Sequence, residues 1–392
     1  MSVSGQIGVT SHVEPMRADP LDLSYRTIRR FPRRRACWAT SAAILMALVA
    51  AACAPVAEEP AARQPSPGGV PGAVRVPSDT PGNSAPAGTY ITSGERLGVG
   101  GCPLFPRNHV FHADASTLQV SPRSDAILAA ARPSMQLKSS FYSAVWQGSR
   151  GGVPVNIVDS RATPMVSVIG GMYGYLSDLD GHPIPPAPRL EGHPGMAWDR
   201  HMLLVDSATC TSHEFFYVTP PFAPFTSRWV ADTVVKIDLN SNTTRRGSAI
   251  ASGGSMLAPM LRYDEVASGR IDHVLGVLLP SISSLPPVWP AVGSDGRSTN
   301  PDAPRMGTWL RLRSDADLSA LGPDARLIAE ALQQHGAVLG DTGPPDSFVV
   351  VGENDARWND VDLRTLSTLT LSDFEVVDPS PMKVADNSPQ IR

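Results

Sequence analysis

The chain is 392 residues long, 42% hydrophobic and 18% charged, which is enough to bury a substantial core. Its formal net charge of −4 is uneven: residues 1–52 carry a net of +4 and the remainder −8. That balance excludes the basic footprint of a nucleic-acid-binding protein, and 33 Gly with 38 Pro favour many turns over long helices.

The first element in chain order is an export signal. In "RRFPRRRACWATSAAILMALVAAACAPVAEEP" the arginines Arg29, Arg30, Arg33, Arg34 and Arg35 precede an apolar run over residues 38–52. Small residues then lead into Cys53. The basic end holds such a segment at the cytoplasmic face, and the run falls short of the ~20 residues needed to span a bilayer. The pattern resembles a bacterial lipoprotein signal, in which the Cys is lipidated and becomes the new N-terminus. The Leu usual three residues before that Cys is Ala50 here, with Leu48 displaced. An ordinary cleaved secretory signal is the alternative. Either way the expected location is extracytoplasmic, and in the lipoprotein reading Cys53 anchors the chain to the bacterial cell envelope.

Residues 53–88 are rich in Ala, Pro, Gly and Ser without an aromatic residue, so they predict a disordered tether. Residues 89–378 predict one β-rich globular domain, and the polar residues 379–392 a disordered tail. Within the domain, period-two apolar patterns predict strands at "GVPVNIVDS", "TPMVSVIGG", "RHMLLVDS", "HEFFYVT", "DTVVKIDLNSN", "IDHVLGVLLP", "TWLRLRS" and "DSFVVVGE". "HMLLVDSATCTSHEFFYV" reads as a hairpin with Cys210 in its turn. "GPDARLIAEALQQHGAVLG" predicts a helix with Pro323 in its first turn and Gly336 as terminator, and "DARWNDVDLRTLSTL" a shorter one. The predicted fold class is mainly β: an antiparallel β-sandwich or jelly-roll-like domain with one or two peripheral helices. Of four cysteines, Cys37 lies in the signal and Cys53 at the lipid site. Cys102 and Cys210 remain, and in an oxidising compartment they are expected to form a disulfide.

Several blocks together carry a family resemblance. They include "CPLFPRNHVFHADASTLQV", "EGHPGMAWDRHMLLVDSATC", "GSMLAPMLRYDEVASGRIDHVL", "PRMGTWLRLRSDADLSALGPDARLIAEALQQHGAVLGDTG" and "ARWNDVDL". They resemble a family of large secreted bacterial proteins of uncharacterised function, β-rich and sometimes joined to carbohydrate-associated modules. The resemblance covers nearly all of residues 101–378 and implies an extracellular β domain, with no activity to carry over. The turn "GSAIASGGSML" lacks the Asp of the family's usual Ser-Ala-Asp-Ala-rich turn.

Two clusters are candidates for chemistry. In "MLRYDEVASGRIDHVLGVLL", read as strand, turn and strand, Asp264 and Glu265 point to opposite faces, Arg262 shares a face with Asp264, and His273 falls on an apolar face. The chemical reading places Arg262, Asp264 or Glu265, and His273 in a concave sheet face. The bland one makes them core and ion-pair residues. In "WDRHMLLVD", Asp199 and His201 are expected at the mouth of the sheet, with Glu214 on the paired strand. Asp199, His201 and His213 are the residues a metal would use. No tight ligand spacing such as HExxH or CxxC supports a site, so no metal or cofactor is expected. Tyr173, Tyr175, Trp198 and Trp289 lie in or beside Gly- and Pro-rich loops, where exposed rings would stack on sugar and buried rings would fill a core. GxSxG, P-loop and dinucleotide fingerprints are absent. The expectation is a carbohydrate-active hydrolase or lyase of an extracellular or cell-wall polysaccharide, with Asp199, His201, Glu214, Arg262, Asp264, Glu265 and His273 as the catalytic set. The alternative is a non-catalytic envelope lipoprotein that binds glycan or a partner protein.

Overall fold

A computed structural model describes residues 98–193, 199–222, 224, 226–244 and 247–392. The export signal, Cys53, the tether, residues 89–97 and Trp198 lie outside them. The longer strands are β1 Leu137–Ser139, β2 Val155–Val158, β3 Met202–Asp206, β4 Thr211–Phe216, β5 Thr233–Asp238, β6 Leu275–Leu279, β7 Trp309–Leu312, β8 Ala337–Thr342, β9 Phe348–Val350 and β10 Phe374–Val377. Helices are few: α1 Ser124–Ala130, α2 Tyr263–Ser268, α3 Pro323–Gln334 and α4 Asp360–Leu363, with short 3₁₀ turns.

The strands form a four-stranded sheet in the order β5-β4-β3-β2 and a six-stranded sheet in the order β10-β7-β8-β6-β9-β1. The main chain stitches the two together. The stretch after β9 receives the Leu261 N–H on the Val351 carbonyl (3.1 Å) and the Val153 N–H on the Gly352 carbonyl (3.0 Å), and Val153 leads into β2. Each sheet buries its own apolar side chains. Leu275, Val277, Leu310, Leu339, Phe348 and Val350 pack with Ile328 and Leu332 of α3, while Val274, Trp309, Val338 and Val377 form a separate cluster with Val110. Leu203 and Val205 point to one face of the four-stranded sheet, Met202 and Leu204 to the other, as the alternation of a strand requires.

The predicted hairpin forms: β3 and β4 pair antiparallel, with Met202 opposite Phe215. Its turn carries Cys210, which is disulfide-bonded to Cys102 across a Cα–Cα distance of 5.2 Å. The helix α3 starts on Pro323, and the Asp362 carboxylate accepts the N–H groups of Asp324 (3.1 Å) and Ala325 (3.0 Å), two of its first-turn donors. Burying Ile328 and Leu332 on its inner face contributes about 1.5–3 kcal/mol each.

Three expectations are corrected and one strand is added. The pairing is mixed rather than antiparallel throughout, because β2/β3, β6/β8 and β1/β9 are parallel. Long connections make this possible: β8 is reached from β6 only after β7 and α3, a crossover long enough to restore direction. The segment read as strand and turn at Arg262–Ser268 is instead α2 preceded by its cap. The Glu265 carboxylate accepts the Arg262 backbone N–H (3.0 Å), and Gly269 closes the helix in the left-handed region (φ 75°). The helix ends before Gly336 as expected, and the "AVLG" after it, given no element in the sequence reading, begins β8, a strand with partners on both sides. The C-terminal residues expected as a loose tail pack on the domain. The Pro389 carbonyl accepts the Val110 N–H (2.7 Å), the Ile391 N–H reaches the Asn108 carbonyl (2.8 Å), and Met382 and Ile391 lie against the Trp309 cluster. Two apolar anchors in a polar stretch suffice to hold it.

Candidate functional site

Three of the seven catalytic candidates converge, but in the interior. Arg262 is 0% exposed at the start of α2. Its Nε donates to Glu265 Oε1 (2.9 Å), its Nη1 to the carbonyls of Leu257 and Met260 (both 2.9 Å), and its Nη2 to Glu265 and to His273 Nε2 (3.1 Å). His273 donates from Nδ1 to the Val274 carbonyl (3.0 Å). Burial would raise the Glu265 carboxyl, but Arg262 and His273 hold it below the usual carboxylate range. Every polar atom of the triad has a protein partner and none faces solvent, so it is a structural ion cluster.

Glu214 is also sealed, at 0% exposure on β4. It accepts from Ser255 Oγ (2.6 Å), Ser212 Oγ (3.2 Å) and the backbone N–H groups of Met256 (2.7 Å) and Leu257 (3.4 Å). Burial pushes its carboxyl up. It fixes the 255–257 loop to the sheet and has no route to a substrate. Asp264 is held by Arg357 Nη1 (2.8 Å), whose guanidinium also lies 4.2 Å over the Tyr263 ring. The sequence pattern placed these residues beside one another in the chain, but not in a shared cleft.

The remaining candidates gather at one end of the four-stranded sheet, joined by an unbroken line of backbone bonds. Glu191 N–H donates to the His201 carbonyl (3.0 Å), Tyr217 N–H to Asp199 (2.9 Å), Asp232 N–H to Phe216 (3.1 Å) and Tyr173 N–H to Asp232 (3.0 Å). His201 donates to Glu191 Oε2 from Nδ1 (2.7 Å) and from its backbone N (3.1 Å), and from Nε2 to the Ala249 carbonyl (3.2 Å). Burial alone would lower its pKa. The Glu191 carboxylate, helped by Asp199, overcomes this and carries it up to about 9, so the ring is an imidazolium at neutral pH. Asp199 is exposed, and among the described residues no hydrogen bond claims its carboxylate. Along the same line of bonds stand exposed Tyr217 (46%), bonded to Asp199 through its backbone, and Tyr173 (40%), with Met172 (69%) and Tyr175 (81%) near it in the chain and Phe222 (50%) a few residues beyond Tyr217. This end is therefore an open rim of rings with one uncommitted carboxylate and a fixed cation behind it.

Trp289 lies elsewhere, half-buried, with Nε1 donating to the Ser388 carbonyl (2.8 Å) and its ring 6.5 Å from that of Trp309. Tyr217 was read only as part of a strand, and Glu191 and Phe222, which also belong to the rim, carried no pattern in the sequence. Their loops have no periodicity, and only the pairing of β3 with β4 brings them together. The sequence reading also missed the pairing of His213 with His182, which meet Nδ1 to Nδ1 at 2.9 Å in the interior. Among the described residues no group of three or more His, Cys, Asp or Glu side chains is placed to hold a metal ion. No helix among them is long and apolar enough to cross a membrane.

Compared with known proteins, the chain matches no family model, no curated protein and no solved structure.

Proposed function

We propose that this chain is an exported protein, anchored to the cell envelope through Cys53, that binds glycan without cleaving it. The rim at the end of the four-stranded sheet is its binding face. One contrast carries the reading. Most of the carboxylates and bases expected to do chemistry are enclosed and spent on internal bonds, whereas two of the rings expected to touch sugar, Tyr173 and Tyr175, stand in solvent. Glycoside hydrolysis needs two carboxyl groups converging on a bond in an open groove. Glu214 and Glu265 have no access, Asp264 is neutralised, and Glu191 is tied to His201. Only Asp199 is left. Exposed tyrosines offer flat faces to the apolar C–H side of sugar rings, and Asp199 an acceptor for hydroxyls. A contiguous apolar surface of this kind on a soluble domain marks a contact site. Lipid attachment follows from the signal's resemblance to a lipoprotein signal, and the Pro-rich tether would hold the domain away from the membrane.

The test uses the full chain in detergent, run through gels containing each of a panel of cell-wall and plant polysaccharides. The same mixtures are assayed for new reducing ends and unsaturated products. Retardation by at least one polysaccharide, weakened about tenfold by Tyr175→Ala with unchanged melting temperature, and no product, is the expected result. New products would restore the hydrolase or lyase reading, and no retardation by any polysaccharide would end the glycan reading. Replacing Cys53 with Ser is expected to move the protein from the membrane fraction to the soluble one.

A further inference from the structure

A cleft of about 480 Å³ opens between the 287–291 segment, the 303–309 loop, the start of α1 and the C-terminal stretch near residues 376–386. It lies within the size range of small-ligand sites. Three cations line it: Arg123, Arg305 and Lys383. Two are already neutralised. Arg123 Nη2 bonds to Asp302 (2.7 Å) and the Pro301 carbonyl (2.9 Å), and Lys383 pairs with Asp386. Arg305 differs. Its Nε donates to the Pro286 carbonyl (2.5 Å) and its Nη2 to the Pro287 carbonyl (3.3 Å), and no carboxylate among the described residues pairs with it. The Asp378 carboxylate, also in the lining, accepts the Ser380 N–H of its own turn (2.9 Å).

Those two carbonyls take the side edge of the guanidinium, formed by Nε–H and one Nη2–H. The end edge, Nη1–H with the second Nη2–H, makes no bond to the described protein. An Arg held by carbonyls on one edge has already lost its rotamer freedom, so the parallel fork on the other edge is ready for a carboxylate. Trp289 in the same lining is equally fixed, by the bond from Nε1 to Ser388 and by its contact with Trp309. A rigid ring beside an oriented fork suits a ligand with an apolar ring face and a carboxylate on it. A uronic acid unit has that chemistry.

We propose that this cleft is a second binding site, separate from the sheet-end rim, that takes a carboxylate-bearing sugar. The end edge of Arg305 grips the carboxylate and Trp289 packs on the sugar ring. The site draws on no residue of the rim, so it stands or falls independently of the glycan reading given there.

The full chain is titrated with galacturonic acid trimer and with neutral galactose trimer, followed by Trp fluorescence and calorimetry, against the Tyr175→Ala, Arg305→Gln and Ser380→Trp variants. Ser380 is exposed in the cleft lining, so a bulky ring there obstructs the cleft while leaving Arg305 and every buried residue unchanged. The charged trimer should bind, more weakly as salt rises, at least about tenfold better than the neutral one. Arg305→Gln and Ser380→Trp should each lose that binding, and Tyr175→Ala should keep it. Equal binding of the two trimers, binding of neither, or wild-type affinity in either cleft variant would overturn the proposal. If Arg305→Gln loses stability, Ser380→Trp alone decides.

Discussion

Acidification should destabilise the protein through the buried pair His182 and His213. The two Nδ1 atoms lie 2.9 Å apart, and His182 Nε2 lies 2.6 Å from the Asp178 carbonyl, to which it must donate. The Nδ1 of His182 is therefore the acceptor and that of His213 the donor, and the contact needs the His182 ring neutral. Burial, reinforced by Lys236, lowers His182 to about 4, although Asp178 and Asp180 oppose it. Burial, then His182 and Lys236, lower His213 to about 3 against Asp206 and Asp178. Both folded values lie below the ~6.5 of an unfolded histidine, so the unfolded chain binds the extra protons. The stability they contribute is whole above pH 6.5 and drains as pH falls toward 4. Between pH 7.5 and 5 each loses about 2 kcal/mol, about 4 for the pair, a large part of the 5–15 kcal/mol that a domain has. Other groups also titrate. Burial lowers His109 to about 3 and raises Asp341 to about 6, the latter gaining stability on acidification, but both act equally with and without the pair. His201, raised to about 9, also gains stability as pH falls through the 6.5 of its unfolded ring, again equally in both proteins. Urea unfolding at pH 7.5 and pH 5.0 should therefore show wild type losing about 4 kcal/mol more than the His182→Asn/His213→Asn double variant. Equal losses, with equal m-values, would refute the assignment of the proton uptake to this pair.

Three further changes are expected to read out in denaturation. Cys102→Ala/Cys210→Ala releases a loop spanning 108 positions and should cost roughly 4–5 kcal/mol in non-reducing urea titrations. Wild type should fall to the variant's level when reductant is added. Arg262→Met strands Glu265 and His273 in the interior and should cost about 3–5 kcal/mol, while polysaccharide retardation of the folded fraction stays unchanged. Glu214→Ala orphans the Ser255 hydroxyl and two backbone N–H groups, a loss of about 3 kcal/mol or more by thermal unfolding.

Local patterns carried much of this fold. Short runs rich in β-branched, aromatic and other apolar residues, bounded by polar turns, placed β3, β4 and β5. Pro323 and the 3.6-residue spacing placed α3. The disulfide was readable by counting. What stayed hidden depends on contacts distant in sequence. Strand β8 follows α3 so closely that its apolar run shows no element of its own, and only β6 and β7 on either side make it a strand. The α2 helix was hidden because Tyr-Asp-Glu-Val fits a strand pattern as well as a helix, and the deciding bond from Arg262 to Glu265 concerns the backbone. The candidate site followed the same division. Tyr173 and Tyr175 were chosen for their loops and are exposed, whereas Arg262, Glu265 and His273 were chosen for their chemistry and are buried.

The reason that chemistry-bearing residues misled lies in how this chain satisfies its backbone. Strands of two to six residues leave many N–H groups in loops, outside any ladder, and a buried N–H without a partner is costly. Carboxylates fill that role across the structure. Asp206 accepts from Ser160 and Ala208, Asp360 from Ser143 and Ala144, and Glu353 from Tyr263. Asp341 accepts from Ala251, Asp178 from Lys236 and Glu191 from His201. Each oxygen spent on a backbone donor is unavailable to a substrate, and holding it there is what keeps a Gly- and Pro-rich chain in one conformation. The useful test of an acidic residue here is thus whether the backbone already owns its oxygens. Glu214 and Glu265 fail that test, while Asp199, next to the exposed Tyr217, passes it among the described residues, which is why ligand contact is expected at the rim and not at the interior acids.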